Sequence, residues 1–288
     1  MRGNRAPCDA RHAKTLLVPI LLMLLGGVSA AQNTGNPNHT NPTNLVRRVV
    51  ANELKAEQQD HSHWSFRLKT RKANGQTEVD DVVETSEGDL QEPILINGRG
   101  LTPEQKKKAN EQIQQLVRDP TELRKSRAQE DEDTSRSQQL LKMLPDAFNF
   151  SYGRKRGNLV ELKFSPNPKF NPSTHEAEVF HAMKGSLWVD SKQDRLEEIS
   201  GRLIREVKFD GGLLGHLDQG GIFDVKQANV APGYWELTRL KVQMKGKALF
   251  FKTIGVQQND TRSNFKQVPD NLSVSQAAEM LQRQTSGQ

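Results

Sequence analysis

The chain has 288 residues, with 41 Lys and Arg against 35 Asp and Glu, and one cysteine. That length fits one large β-rich domain or two small ones, and a single cysteine excludes a disulfide framework. The formal net charge of +6 is too modest to suggest a nucleic-acid binder. At the start, Arg2, Arg5, Arg11 and Lys14 precede the apolar run Leu16 to Leu25, and Val28-Ser29-Ala30 offers small residues for cleavage after Ala30. This is the pattern of a Sec-type signal peptide over 1–30. The apolar run is about ten residues, short of the roughly 20 that span a bilayer. Cleavage removes Cys8 and lowers the net charge to about +3, because Asp9 leaves with the four cations. No cysteine follows to take a lipid. The expectation is a periplasmic protein, soluble and without a membrane anchor.

Residues 31–42 are rich in Asn, Thr, Gly and Pro and read as a disordered leader. Thr43 or Asn44 then caps a helix whose apolar face is Leu45, Val46, Val49, Val50 and Leu54, with Arg47, Arg48, Glu53 and Lys55 on the other face. Trp64, Phe66 and Leu68 alternate with polar residues, and Asn74-Gly75 is a hairpin signal. A returning strand holds Val79 and Val83, and a short run covers 92–97. Thr102-Pro103-Glu104-Gln105 is a helix start with a capping threonine and a glutamine three residues on. Residues 121–139 are almost wholly polar and suit either a solvated helix or a mobile segment. Leu140, Leu141, Met143 and Leu144 give the segment an apolar end before Pro145.

Two alternating runs follow, at 148–152 and 160–164, then an irregular stretch with three prolines and a short helix from Ser173 to about Met183. The dominant region is 185–256, where apolar residues recur at every second position between turn signals. Ile199, Leu203, Val207 and Phe209 share one face of a run from Arg195 to Phe209; Leu240, Val242 and Met244 share another. Turns are expected at 191–194, 210–212, 219–221, 231–233 and 245–247. Residues 256–270 read as polar loop, and Ser273 or Ser275 caps a last short helix. The sum is about ten strands and three or four helices, without βαβ alternation. That predicts a mainly β, α+β fold: one strongly curved antiparallel sheet with helices on its concave side.

Chemical motifs are sparse. Asp60, His61 and His63 could begin a metal site, but no further ligands follow in pattern. The pairs Asp80-Asp81 and Glu197-Glu198 should point to opposite faces of their strands and not converge. Arg154-Lys155-Arg156 is the nearest thing to a basic cluster and reads as a hairpin tip. No phosphate loop or nucleophile motif is present. The expectation is therefore no catalytic site, no cofactor, no metal and no nucleic acid; a hydrolase would need a buried, converging pair of titratable groups. Several strands are apolar on both faces, as at Leu187-Trp188-Val189 and Leu249-Phe250-Phe251. Such a sheet is either covered by helices and filled, or encloses a cavity.

Gly185-Ser186-Leu187-Trp188-Val189-Asp190, a turn, and a strand starting Arg195-Leu196 resemble a signature of the LolA-like lipoprotein-carrier superfamily; Gly233-Tyr234-Trp235-Glu236-Leu237 resembles its returning segment. The resemblance implies an unclosed β-barrel of about eleven strands under a helical lid, forming a single domain over 43–288. It implies a non-enzymatic protein holding a lipid or acyl chain, such as that of a lipoprotein. The same fold also serves envelope sensors of the RseB type, which bind protein partners and no lipid cargo. Within a helical insertion at about 102–144, the polar part over roughly 102–139 departs from the carriers and is a candidate docking element for an envelope partner. The candidate lining of the apolar cavity is Trp64, Phe66, Leu68, Trp188, Leu203, Val207, Leu240, Val242 and Phe250.

Overall fold

Asn41 starts the first helix, α1 (Pro42–Gln59): its side chain accepts the Thr43 N–H at 2.9 Å. The cap therefore lies ahead of Thr43 and Asn44, because Pro42 fits the first helical position, where a missing N–H costs nothing. The computed structural model describes residues 41–248 and 252–286. The expected signal peptide, residues 31–40 of the expected leader, and Phe250 lie outside them.

The next elements are β1 (His63–Arg71), β2 (Thr77–Val83), β3 (Leu90–Ile96), β4 (Arg99–Gly100), α2 (Pro103–Arg118) and α3 (Thr121–Ala147). The Thr102 cap forms as expected, with the reciprocal bond from the Thr102 N–H to Gln105 Oε1 at 2.8 Å. The polar stretch 121–139 is helical and continuous with its apolar end. Pro145 lies inside the last turn of α3 and does not end it. Then come β5 (Phe148–Arg156), β6 (Leu159–Pro166), a 3-10 turn (Glu176–Ala182), β7 (Met183–Asp190), β8 (Arg195–Leu203), β9 (Val207–Phe209), β10 (Gly215–Leu217), β11 (Ile222–Ala231), β12 (Tyr234–Ala248), β13 (Lys252–Val268) and α4 (Val274–Ser286).

All thirteen of these strands join one unclosed antiparallel sheet, in the order β4-β3-β2-β1-β13-β12-β11-β8-β7-β6-β5, with β9 and β10 attached beside β12. The strand boundaries differ from the sequence reading at three places. The run 195–209 is broken by a bend at 204–206 into β8 and β9. The expected turn at 245–247 is absent, and β12 runs straight through Gly246. A Cβ at Gly246 would meet the carbonyl oxygen of His216, so that glycine serves the close approach of β10 and not a turn. The expected loop 256–270 is mostly β13, paired with β12 on one side and β1 on the other. Its polar residues gave no alternation, yet backbone pairing on both edges holds it in the sheet.

The register sorts the side chains into two faces. Leu162, Leu187, Ile199, Val225 and Leu240 lie in one row across β6, β7, β8, β11 and β12. This face packs against α1, the C-terminal turns of α3 and the 3-10 turn, in a cluster that includes Leu45, Val49, Leu140, Leu144 and Phe180. Two rows further along, Phe164 and Phe223 lie over Gly185 and Gly201, where a Cβ would collide with either ring. At the other end of the sheet the opposite face is the covered one. Val83 and Leu90 pack with α2 and α4 through Ile113, Ala277 and Leu281, and Leu123 of α3 joins them. Residues 102–147 thus contribute to both apolar clusters and are built into the fold.

Candidate functional site

The structure distributes the candidate lining residues over three places. Leu203, Val207, Leu240 and Val242 belong to the large apolar cluster under α1. Trp64 and Phe66, with Leu68 beside them, form a separate cluster on β1, against Tyr234, Phe265 and the tip of the β11–β12 hairpin. The Trp64 and Tyr234 rings meet edge-on at 5.5 Å. Trp188 lies on the opposite face of β7, where no helix among the described residues covers it. The guanidinium groups of Arg154 and Arg156 sit 5.4 and 4.7 Å from its ring centre and take the place of a covering helix. Arg154 also binds Glu161, whose carboxyl is lowered to about 2 by those hydrogen bonds.

The joint between α1 and the sheet is polar at its centre. Glu53, expected on the solvent face, is 4% exposed. Its Oε1 accepts from Arg195 Nε at 2.8 Å, the Leu196 N–H at 2.8 Å and Gln227 Nε2 at 3.3 Å. Its Oε2 accepts from Arg195 Nη2 at 3.1 Å, and the same guanidinium lies 5.3 Å from the Trp235 ring centre. One carboxylate thus fixes α1 to β8 and β11.

A second polar centre, absent from the sequence reading, lies where the sheet divides. β12 and β13 pair as far as Arg239 and Thr261. Beyond that point β13 pairs only with β1, and β12 only with β11. Arg262 stands at the division, its guanidinium 4.8 Å from the Phe66 ring centre. Within its electrostatic reach are Glu84, Asp89, Glu130 of α3 and Glu236 of β12. Arg127 of α3 also reaches Glu84, Asp89 and Glu130. Burial pushes Glu236 up to about 9, with Glu84 adding repulsion. Burial and the nearby Asp89 push Glu84 up to about 8 and Glu130 to about 7. Burial raises Asp89 as well. Glu84, Asp89 and Glu130 nevertheless keep part of their surface accessible. Desolvation is what raises them, since burial disfavours the charged carboxylate. Glu84 also fixes β1, since its Oε2 accepts the Trp64 N–H at 2.8 Å. At neutral pH Glu236 and Glu84 therefore favour the protonated form, and the cluster shares two arginines.

The remaining sequence candidates resolve simply. His61 is exposed and precedes β1, and among the described residues no group of three or more His, Asp or Glu could hold a metal ion. Asp81 binds Arg67 through two hydrogen bonds. Glu197 and Glu198 do converge, against expectation: both lie within 4 Å of Lys226, at 3.3 and 3.7 Å. A bulge in β8 between Leu196 and Glu198 turns the extra residue toward the same side. Among the described residues no helix is long and apolar enough to cross a membrane. No protein-family model, curated protein or solved structure matches this chain.

Proposed function

We propose that the protein is a non-enzymatic binding module of the cell envelope, built as a LolA-like half-barrel and working through its surface. One observation carries this reading. Leu203, Val207, Leu240 and Val242, on the apolar face under α1, are only 1–4% exposed. The walls of an open cavity retain accessible surface, and these side chains retain almost none. That close packing favours a face filled by its own side chains over one kept open for cargo. The acid–arginine cleft is the feature that a hydrolase would need. Its carboxyls share Arg262 across a helix–sheet joint, which suits docking of α3 better than turnover of a substrate.

A second reading has its own support. α1 covers the apolar face, and two of its ion pairs lie at the rim: Arg47–Asp146, with both side chains largely accessible, and Arg48–Asp194, with Asp194 half-buried. Such pairs contribute about 0–1 kcal/mol. If α1 swings aside as a lid, Glu53 must part from Arg195, and an acyl chain that enters must offset that loss at about 0.8 kcal/mol per buried CH₂. Native mass spectrometry of the protein purified from its own compartment, followed by organic extraction, separates the two. The surface module gives an apo mass and an empty extract. A stoichiometric acyl species overturns it in favour of the carrier.

A further inference from the structure

Among the described residues, the face of the sheet turned away from α1 carries no helix over β6, β7, β8, β11 and β12. On it stand Lys163 of β6, Lys184 of β7, Arg202 of β8, and Lys241, Lys245 and Lys247 of β12. Lys241 is half-buried and the other five are exposed. None of the six forms an ion pair within 4 Å among the described residues. The acids near them are already engaged. Glu161, within reach of Lys163, gives both oxygens to Arg154. Asp224, opposite Lys241, binds Arg239 at 2.9 Å. Lys184 and Arg202 are direct cross-strand partners. Like charges placed so are destabilising, and a face that keeps them gains when an anion lies against it. Ser186 and Ser200, in the next row between Lys163 and Asp224, add hydroxyl donors.

The same face has an apolar edge. Lys208 lies in one row with His216 and Lys247. Its side chain reaches to 4.0 Å from the position that a Cβ would take on Gly212, so the tip of the β9–β10 hairpin lies on the cationic side. At that tip Leu213 is 71% exposed and Leu214 37%. Together these two leucines give the cationic face a small aliphatic edge.

We propose that this face docks on the surface of an anionic phospholipid bilayer, with the cations against headgroup phosphates and Leu213 and Leu214 at the acyl boundary. Six cations lie in the range of four to eight basic residues that suits such surfaces. A single-stranded nucleic acid would ask instead for exposed aromatic platforms, and the tryptophan on this face is capped by Arg154 and Arg156. Aliphatic residues beside cations fit a bilayer better than a soluble polyanion. This inference rests on the surface-module reading and names the partner of one surface.

The test is sedimentation of the purified protein, extracted free of lipid, with vesicles of phosphatidylcholine alone or with 30% phosphatidylglycerol. Binding is expected only to the anionic vesicles and is reversed by 0.5 M salt. Each cation near the surface contributes about a fivefold factor in affinity. Lys184→Glu with Arg202→Glu should therefore weaken binding by about a hundredfold or more. The charge-matched control Lys106→Glu with Lys107→Glu, on α2, should change it far less. Leu213→Ser should weaken binding without changing its salt dependence. Thermal unfolding of each variant verifies the fold. No binding to anionic vesicles, or equal loss in both double variants, overturns the proposal. So does capture of heparin or an oligonucleotide with no vesicle binding, which assigns the face to a soluble polyanion. Cargo extraction reads the interior and vesicle binding reads this face, so either reading can fail without the other.

Discussion

The two ends of the sheet are held to their helices by different physics. Under α1 the joint is a large apolar cluster with one buried ion pair at its centre, Glu53 with Arg195. Where the sheet divides, α3 meets it through four carboxyls and two arginines, beside a smaller apolar cluster. The first joint draws on burial, which is indifferent to pH in the physiological range. The second holds protons that an unfolded chain would release. The molecule therefore has a stiff end and a titratable end, and each can be stressed without the other.

The largest expected effect lies at the centre of the stiff end. Glu53→Ala leaves the Arg195 guanidinium charged and buried, which costs about 3–5 kcal/mol. Replacing both residues by Met should recover much of the loss, since a buried pair is often no better than an apolar one. Urea unfolding of the single and double variants measures this. Equal destabilisation by both would mean that the carboxylate acts through the Leu196 N–H and Gln227 and not through Arg195. Leu162→Ala, in the same cluster and fully buried, should cost about 2–5 kcal/mol. That loss should be the same at pH 5 and pH 9.

The titratable end should behave otherwise. Glu236 sits near 9 and Glu84 near 8 in the fold, both raised first by burial, against about 4.3 in an unfolded chain. Below about pH 4 both states are protonated and the linkage contributes nothing to the slope. Between about 4.3 and 9 the folded state holds protons that the unfolded chain has given up. Stability therefore falls as pH rises through that window and levels off above it. Glu236→Gln removes one such proton, so the variant should gain on the parent as pH goes from 5 to 9. A difference that stays constant across urea titrations at pH 5, 7 and 9 would sink this account of the cleft.

The stiff end was largely readable in the sequence, and the titratable end was not. Leu45, Val49, Leu187, Leu203 and Leu240 announce themselves by period, because a face buried against one partner imposes its spacing on the chain. Trp188 has the same period signature, yet it is covered by arginines from the next hairpin, a long-range contact that periodicity cannot report. Glu84 and Asp89 lie at the two ends of the connection between β2 and β3, Glu130 lies on α3 and Glu236 on β12, and no local spacing links the three places. Glu236 alone left a trace, as a carboxylate inside the apolar run Tyr234 to Leu237. β13 failed for the opposite reason. Asp260 is satisfied by Thr70 Oγ1 at 2.8 Å and by Gln258, so polar side chains occupy a central strand without the alternation that identifies one.

The smallest expected effect tests whether the two ends unfold together. α2 buries only Ala109 and Ile113 and owes much of its order to the Thr102–Gln105 capping box. Thr102→Ala should cost about 1 kcal/mol. If α2 opens as its own unit, that loss appears as faster amide exchange over 103–118, while exchange in β7, β8 and β12 is unchanged. If the whole molecule unfolds as one, the slowest amides under α1 should speed up by about fivefold together with those of α2. The first result is expected. Ile113 reaches only the cluster around Val83 and Leu90, and nothing in that cluster is shared with the residues beneath α1.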